Sequence, residues 1–158
     1  MSISIYTDGS AKGNPGKGGY GIVLISKKHR KEISQGFEKT TNNRMELLAV
    51  IVALEQIKKA NAVVTVYSDS KYVVDAIERG WVFSWVKINF KKKKNSDLWK
   101  RFLVVYKKHV VNFVWVKGHS NNKENNRCDA LAVAAAESKN LQKDLWYEKQ
   151  SNNDPMLF

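Results

Sequence analysis

The stretch Gly16-Lys17-Gly18-Gly19-Tyr20-Gly21, running directly into Ile22-Val23-Leu24-Ile25, decides the fold. Its glycines match the dinucleotide fingerprint G-x-G-x-x-G, but that motif must open a helix so that a pyrophosphate can rest on the helix N-terminus. Here a short, β-branched apolar run follows, which is a strand signal. A Walker loop fails as well, because Gly18 stands where Ser or Thr must follow Lys17. The glycines therefore read as a flexible loop after a first strand. It is either a plain hairpin connection or a place where backbone approaches a ligand closely.

Working outward, Ile3, Ile5 and Thr7 alternate with polar positions and predict the first strand. Ile22 to Ser26 and Ile33 to Phe37, joined by the charged turn Lys27 to Lys31, complete an antiparallel meander. Asn42 to Ala60 is the best helix in the chain, with Met45, Leu48, Val52 and Ile57 near helical spacing. Ala62 to Tyr67 predicts a strand, Ser70 to Arg79 a helix ended by Gly80, and Asp97 to Lys108 another helix. Val110 to Val116 is the last strand, and an alanine-rich helix spans about Glu124 to Leu141. The order is that of an α/β domain with a mixed sheet, not a doubly wound parallel one. Ser151 to Phe158 reads as a loosely held tail.

The chain carries 27 Lys+Arg against 15 Asp+Glu, a formal net charge of +12. Nine basic residues and one acid fall between Lys87 and Lys108, so this segment holds most of the excess. It is either a solvated basic face or a polyanion-binding surface. Trp81, Phe83, Trp85, Phe90 and Trp99 are interleaved with the cations, and rings beside Lys or Arg suit nucleic acid. Lys91 to Lys94 carries no amphipathic apolar face of its own, which argues against a membrane surface. Without a signal sequence or an apolar run long enough to span a bilayer, and with a single cysteine, a cytoplasmic location is expected.

Against this basic background four acids sit in decorated stretches: Asp8, Glu46, Asp69 and Asp129. Most have an ordinary explanation. Asp69 precedes a helix and suits an N-cap. Glu46 lies where a capping-box glutamate would be if Asn43 is the cap, and Asp129 suits a helix face. Asp8, flanked by Thr7 and Gly9, has no helix to cap. Taken together, clustered hard oxygen ligands suit Mg²⁺. His119 follows Gly118 in a polar loop. Zinc binding by His119 and Cys128 lacks further ligands at suitable spacing, and no G-x-S-x-G elbow supports a serine hydrolase.

The segments YTDGSAKGNPGKGGYG (6–21), TTNNRMEL (40–47), YSDSKYV (67–73) and VWVKGHSNNKENNRCDALA (114–132) occur in that order. Their constellation resembles the type 1 ribonuclease H family, bacterial ribonuclease HI above all. The resemblance implies a ribonuclease H-like fold: a five-stranded mixed sheet, its first three strands antiparallel, flanked by helices and bearing a basic protrusion. It implies a catalytic domain over 1–142, with the basic handle at about 81–99 and a tail of unknown role over 143–158. The implied activity is endonucleolytic hydrolysis of the RNA strand of RNA–DNA hybrids by two Mg²⁺ ions, with Mn²⁺ able to substitute, leaving 3′-hydroxyl and 5′-phosphate ends.

By position, Asp8, Glu46, Asp69 and Asp129 resemble the family's metal-binding carboxylates, and His119 its mobile histidine for proton transfer and product release. Asn14, Asn42 and Asn43 resemble its hybrid-contacting residues, and Thr41 part of a DNA-phosphate pocket. Lys71 stands near the substrate where some relatives have Gln. Trp81, Trp85, Lys91, Lys92, Lys93, Lys94 and Trp99 fall on the handle, which is shorter here and carries Phe90 where those relatives have Trp. The implied partner is an RNA–DNA hybrid, with no membrane, no obligatory protein partner and a monomeric state. The alternative is a non-catalytic hybrid-binding module tethered through Lys91 to Lys94.

Overall fold

The computed structural model describes residues 2–118 and 121–152. Strand β1 (Ser2–Ala11) pairs antiparallel with β2 (Gly16–Ser26), and β2 antiparallel with β3 (His29–Thr40). Helix α1 (Asn42–Glu55) leads to β4 (Val63–Ser68), parallel to β1, and β5 (Val110–Trp115) lies parallel to β4 at one edge. Between them come α2 (Lys71–Glu78), α3 (Trp81–Val86) and α4 (Ser96–Tyr106). Helix α5 (Lys123–Glu137), a two-residue strand β6 (Leu141–Gln142) and α6 (Leu145–Asn152) follow. The expected antiparallel meander is present within a mixed sheet ordered β5-β4-β1-β2-β3-β6.

Two expectations are corrected here. The sheet has six strands rather than five, because Leu141 and Gln142 pair in parallel with Gly36 and Phe37. The glycine-rich stretch is mostly strand, with only residues 12–15 left as the connection. A ladder needs only backbone groups, and here the missing side chains admit helices. A Cβ on Gly21 would strike the Cys128 carbonyl and the Leu131 side chain of α5, and one on Gly9 would strike the Met45 and Glu46 backbone of α1. Asp8 pairs with Gly21 and Gly9 with Tyr20, so the two glycines project to opposite faces. Helices α1 and α5 therefore cover opposite sides of the sheet, and each comes close to it at a glycine.

The core fills the α1 face. Ile5, Ile22, Val64 and Val66 of the sheet, Met45, Leu47 and Ile51 of α1, and Trp99 and Phe102 of α4 are fully buried. Helix α1 is enclosed almost all round, which blurs its amphipathic period. It ends at Glu55, short of the expected Ala60, where the chain turns through Asn61 at φ 58° into β4. Among the described residues no helix is long and apolar enough to cross a membrane.

The last described segment is anchored. Buried Asp144 accepts bonds from Arg44 Nε at 2.6 Å, Arg44 Nη2 at 3.0 Å and Thr40 Oγ1 at 2.8 Å. Arg44, only 2% exposed, also grips Asp97 through Nη1 at 2.8 Å and Nη2 at 2.7 Å, and its guanidinium stacks 4.9 Å from the Trp146 ring centroid. One side chain of α1 thus ties α4 and α6 to the body.

Candidate metal centre and nucleic-acid interface

Four elements carry the predicted acids to one cavity of about 420 Å³. Asp8 lies on β1, Glu46 on α1, Asp69 just past β4 and Asp129 on α5. The capping explanations fail on geometry. Thr41, not Asn43, caps α1 and accepts from Arg44 N at 3.2 Å, so Glu46 sits beyond the capping-box position. Ser70 caps α2 and accepts from Val73 N at 3.2 Å, which releases Asp69 from that duty.

One oxygen from each of Asp8, Glu46 and Asp69 lies within 4.8 Å of the others. Asp129 lines the same cavity but stands outside this triad. Burial and then the Asp69 charge push the Asp8 carboxyl from 3.8 up to about 7, with Asp129 adding to the rise. Burial, followed by the Asp8 and Asp69 charges, drives Glu46 well above the usual carboxylate range. Among the described residues, Glu46 Oε1 and Asp69 Oδ1 are buried without a hydrogen-bond partner. A buried oxygen with no donor is costly, and a divalent cation would satisfy it. Three carboxylates at this spacing, two of which carry such an oxygen, fit a hard divalent cation.

The rim is polar and basic. Lys71 and Lys117 line the cavity, and Lys71 Nζ lies 4.8 Å from the centroid of Trp115, whose indole nitrogen donates to the Asp69 carbonyl at 3.1 Å. Asn14 Oδ1 accepts from Asn42 N at 3.0 Å, while Asn42 Oδ1 accepts from Ala11 N, so the glycine-rich connection is stitched to the start of α1. Asn43 is exposed and lines this cavity together with a second one of about 690 Å³, which also takes in Asn14, Thr41 and Lys92 to Lys94.

The predicted handle residues divide by burial. Trp81 is 46% exposed, Trp85 is half-buried with Lys93 Nζ 5.2 Å from its ring centroid, and Lys91, Lys92 and Lys94 are exposed. Trp99 is a correction. It is fully buried, packs edge-on against Trp85 and Phe102, and donates its indole hydrogen to Tyr72 Oη at 3.0 Å, so it is core and offers no surface to a ligand. Its spacing beside lysines placed it on the surface, whereas α4 turns it inward against Tyr72 of α2 and Trp85 of α3. His119 lies outside the described residues. Sequence reasoning missed Lys117 and Asn125 on the cavity lining, the Arg44 clamp and the Trp115 support of Lys71. Arg44, Trp115, Lys117 and Asn125 all lie inside the quoted motif segments, and that was their only signal.

The family model for RNase H matches residues 1–137. The chain belongs to the RNase H family. As a member it is an enzyme, a nuclease of the ribonuclease H class. It is 52% identical over 151 residues to a ribonuclease H of Trichodesmium erythraeum, covering 92% of this chain and 96% of the relative. It is 54% identical over 149 residues to a ribonuclease H of Desulforamulus reducens, covering 90% and 92%. Among solved structures it is similar to LC9-RNase H1, a type 1 RNase H, at TM-score 0.78 and 31% identity over 86% of this chain and 72% of that one. It also matches LC11-RNase H1, solved in complex with an RNA/DNA hybrid, at TM-score 0.62 and 28% identity over 85% and 96%.

Proposed function

We propose that this member hydrolyses the RNA strand of RNA–DNA hybrids with two divalent cations, Mg²⁺ or Mn²⁺ in its place, leaving 3′-hydroxyl and 5′-phosphate ends. The observation that carries the reading is the triad of Asp8, Glu46 and Asp69, with two buried oxygens unpartnered among the described residues, in a cavity rimmed by lysine and asparagine. Asp8, Glu46 and Asp69 would hold the metal, with Asp129 as a ligand from the cavity wall. Bound there, divalent cations supply an activated water and neutralise charge on the leaving oxygen.

The chain's own residues do the rest. The mutual repulsion of three acids makes the site receptive to cations and holds protons until they arrive. Lys71 and Lys117 place positive charge where a phosphate would approach the acids. Asn43 offers an amide, with both donors and an acceptor, at the rim. Such a group can read a 2′-hydroxyl, which separates RNA from DNA. His119, which follows Gly118 in the sequence, is the proposed proton carrier to the leaving oxygen.

The test uses end-labelled RNA–DNA hybrid, duplex RNA and duplex DNA, each with Mg²⁺ and with EDTA. Cleavage confined to the RNA of the hybrid, and to the metal arm, is expected. Binding of hybrid without cleavage in Mg²⁺ would instead identify the non-catalytic binding module.

A further inference from the structure

The second cavity has two walls that are distant in sequence. Lys92, Lys93 and Lys94 of the handle form one, and Tyr147 and Gln150 of α6, with Trp146, form the other. Helix α6 lies beyond the stretch that the RNase H family model matches. Both walls rest on Arg44. Its Nη1 donates to Asn95 Oδ1 at 3.3 Å at the end of the lysine turn, its Nε and Nη2 hold Asp144 ahead of α6, and its guanidinium lies against Trp146. On the handle side, Asn95 Nδ2 also donates to Tyr72 Oη at 2.9 Å, and Lys92 and Asn95 sit at φ 60°. The groove is therefore preorganised, and a ligand entering it need not order either wall.

Its lining suits one chemistry. Three ammonium groups, the hydroxyls of Thr41 and Tyr147 and the amides of Asn14 and Gln150 are the donors that proteins direct at a phosphodiester backbone. Asn43 belongs to this groove and to the acidic cavity alike. The two cavities therefore adjoin at Asn43, so a two-stranded ligand seated on the carboxylates has the groove beside it for its other strand. We propose that α6 is a nucleic-acid-binding element: Tyr147 and Gln150 hold the backbone of the uncut DNA strand against Lys92 to Lys94. This deepens the reading above and rests on it.

The test keeps the full chain and a Asp8→Asn background, so that hybrid binds without being cut, and measures affinity by fluorescence anisotropy. Tyr147→Phe with Gln150→Ala removes two phosphate-directed donors and should weaken hybrid binding roughly tenfold. Methylphosphonates scanned along the DNA strand should abolish that difference at one or two positions. The same scan along the RNA strand should leave it intact. Unchanged affinity in the double variant, or loss of the difference only with RNA-strand substitution, overturns the proposal. If the double variant misfolds, Gln150→Ala alone, at an exposed position, repeats the comparison, with a roughly threefold loss expected and unchanged affinity overturning the proposal. Cleavage of hybrid by the unsubstituted protein is scored separately. If that is absent the functional reading fails, whereas cleavage with a silent α6 refutes only this inference.

Discussion

Replacing Asp8 by Asn deletes one charge from the acidic triad at nearly constant volume, and the structure predicts that the enzyme is disabled while the metal-free protein becomes more stable. In the native state the Asp8 carboxyl is raised from 3.8 to about 7, first by burial and then by the Asp69 charge. Unfolding returns it to its ordinary value. Between those values the native state holds a proton that the unfolded chain releases, so stability falls as pH rises through this window and is level above it. At about 1.36 kcal/mol per tenfold change in proton affinity, full ionisation of Asp8 costs the native state roughly 4 kcal/mol. Glu46 is raised too and shares the same proton, which reduces the part belonging to Asp8 to ~2–4 kcal/mol. Urea unfolding in EDTA at about pH 8 should therefore show Asp8→Asn more stable by ~2–4 kcal/mol, with most of the gap closing at about pH 4. Mg²⁺ should stabilise the parent protein and not the variant, and hybrid cleavage by the variant should be lost. A variant no more stable than its parent at the higher pH, or a gap independent of pH, would refute the reasoning.

Further predictions concern the scaffold. Asp144→Ala strands the buried Arg44 Nε and the Thr40 hydroxyl. With Asp97 still paired, the cost should be ~3 kcal/mol, or roughly 6–12 °C in Tm by calorimetry. Gly9→Ala places a methyl against the Met45 and Glu46 backbone, so α1 must move away from Asp8. A loss of ~2–4 kcal/mol is expected, and the melting-temperature gain on adding Mg²⁺ should shrink. Cys128 is fully buried with its thiol 3.1 Å from the Tyr6 carbonyl, and burial pushes its pKa up. It should resist a thiol reagent in native buffer and react fully in denaturant.

Much of this was legible because the signals are local. The period-two alternation of Ile3, Ile5 and Thr7 reports a strand with one buried face, and the structure buries all three. The failures have physical causes as well. Glycines 16, 18, 19 and 21 suggested a loop because composition measures conformational freedom, but here Gly19 and Gly21 admit α5 against the strand, while Gly16 and Gly18 lie close to neighbouring strand and turn atoms where the register shifts. Trp99 looked like a ligand platform because spacing on a helix does not reveal which face turns inward. The segment after Gln142 carried no legible role because Arg44, which anchors its start, lies about a hundred residues earlier in the chain, and most of the expected loose tail, Ser151 to Phe158, lies outside the described residues.

By itself, the sequence determined which chemical groups are present and in what order: four acids in motif settings, lysines gathered in one segment, and a strand-first α/β plan. Only the tertiary structure decided their company. It brings Asp8, Glu46 and Asp69 within 4.8 Å of one another, leaves Asp129 on the cavity wall, sends Trp99 into the core and docks α6 opposite the lysine turn. The reason is that periodicity and capping are properties of neighbours along the chain. Desolvated carboxylates and a buried arginine depend instead on which distant segments share a low-dielectric interior, and that is settled when the helices pack onto the sheet.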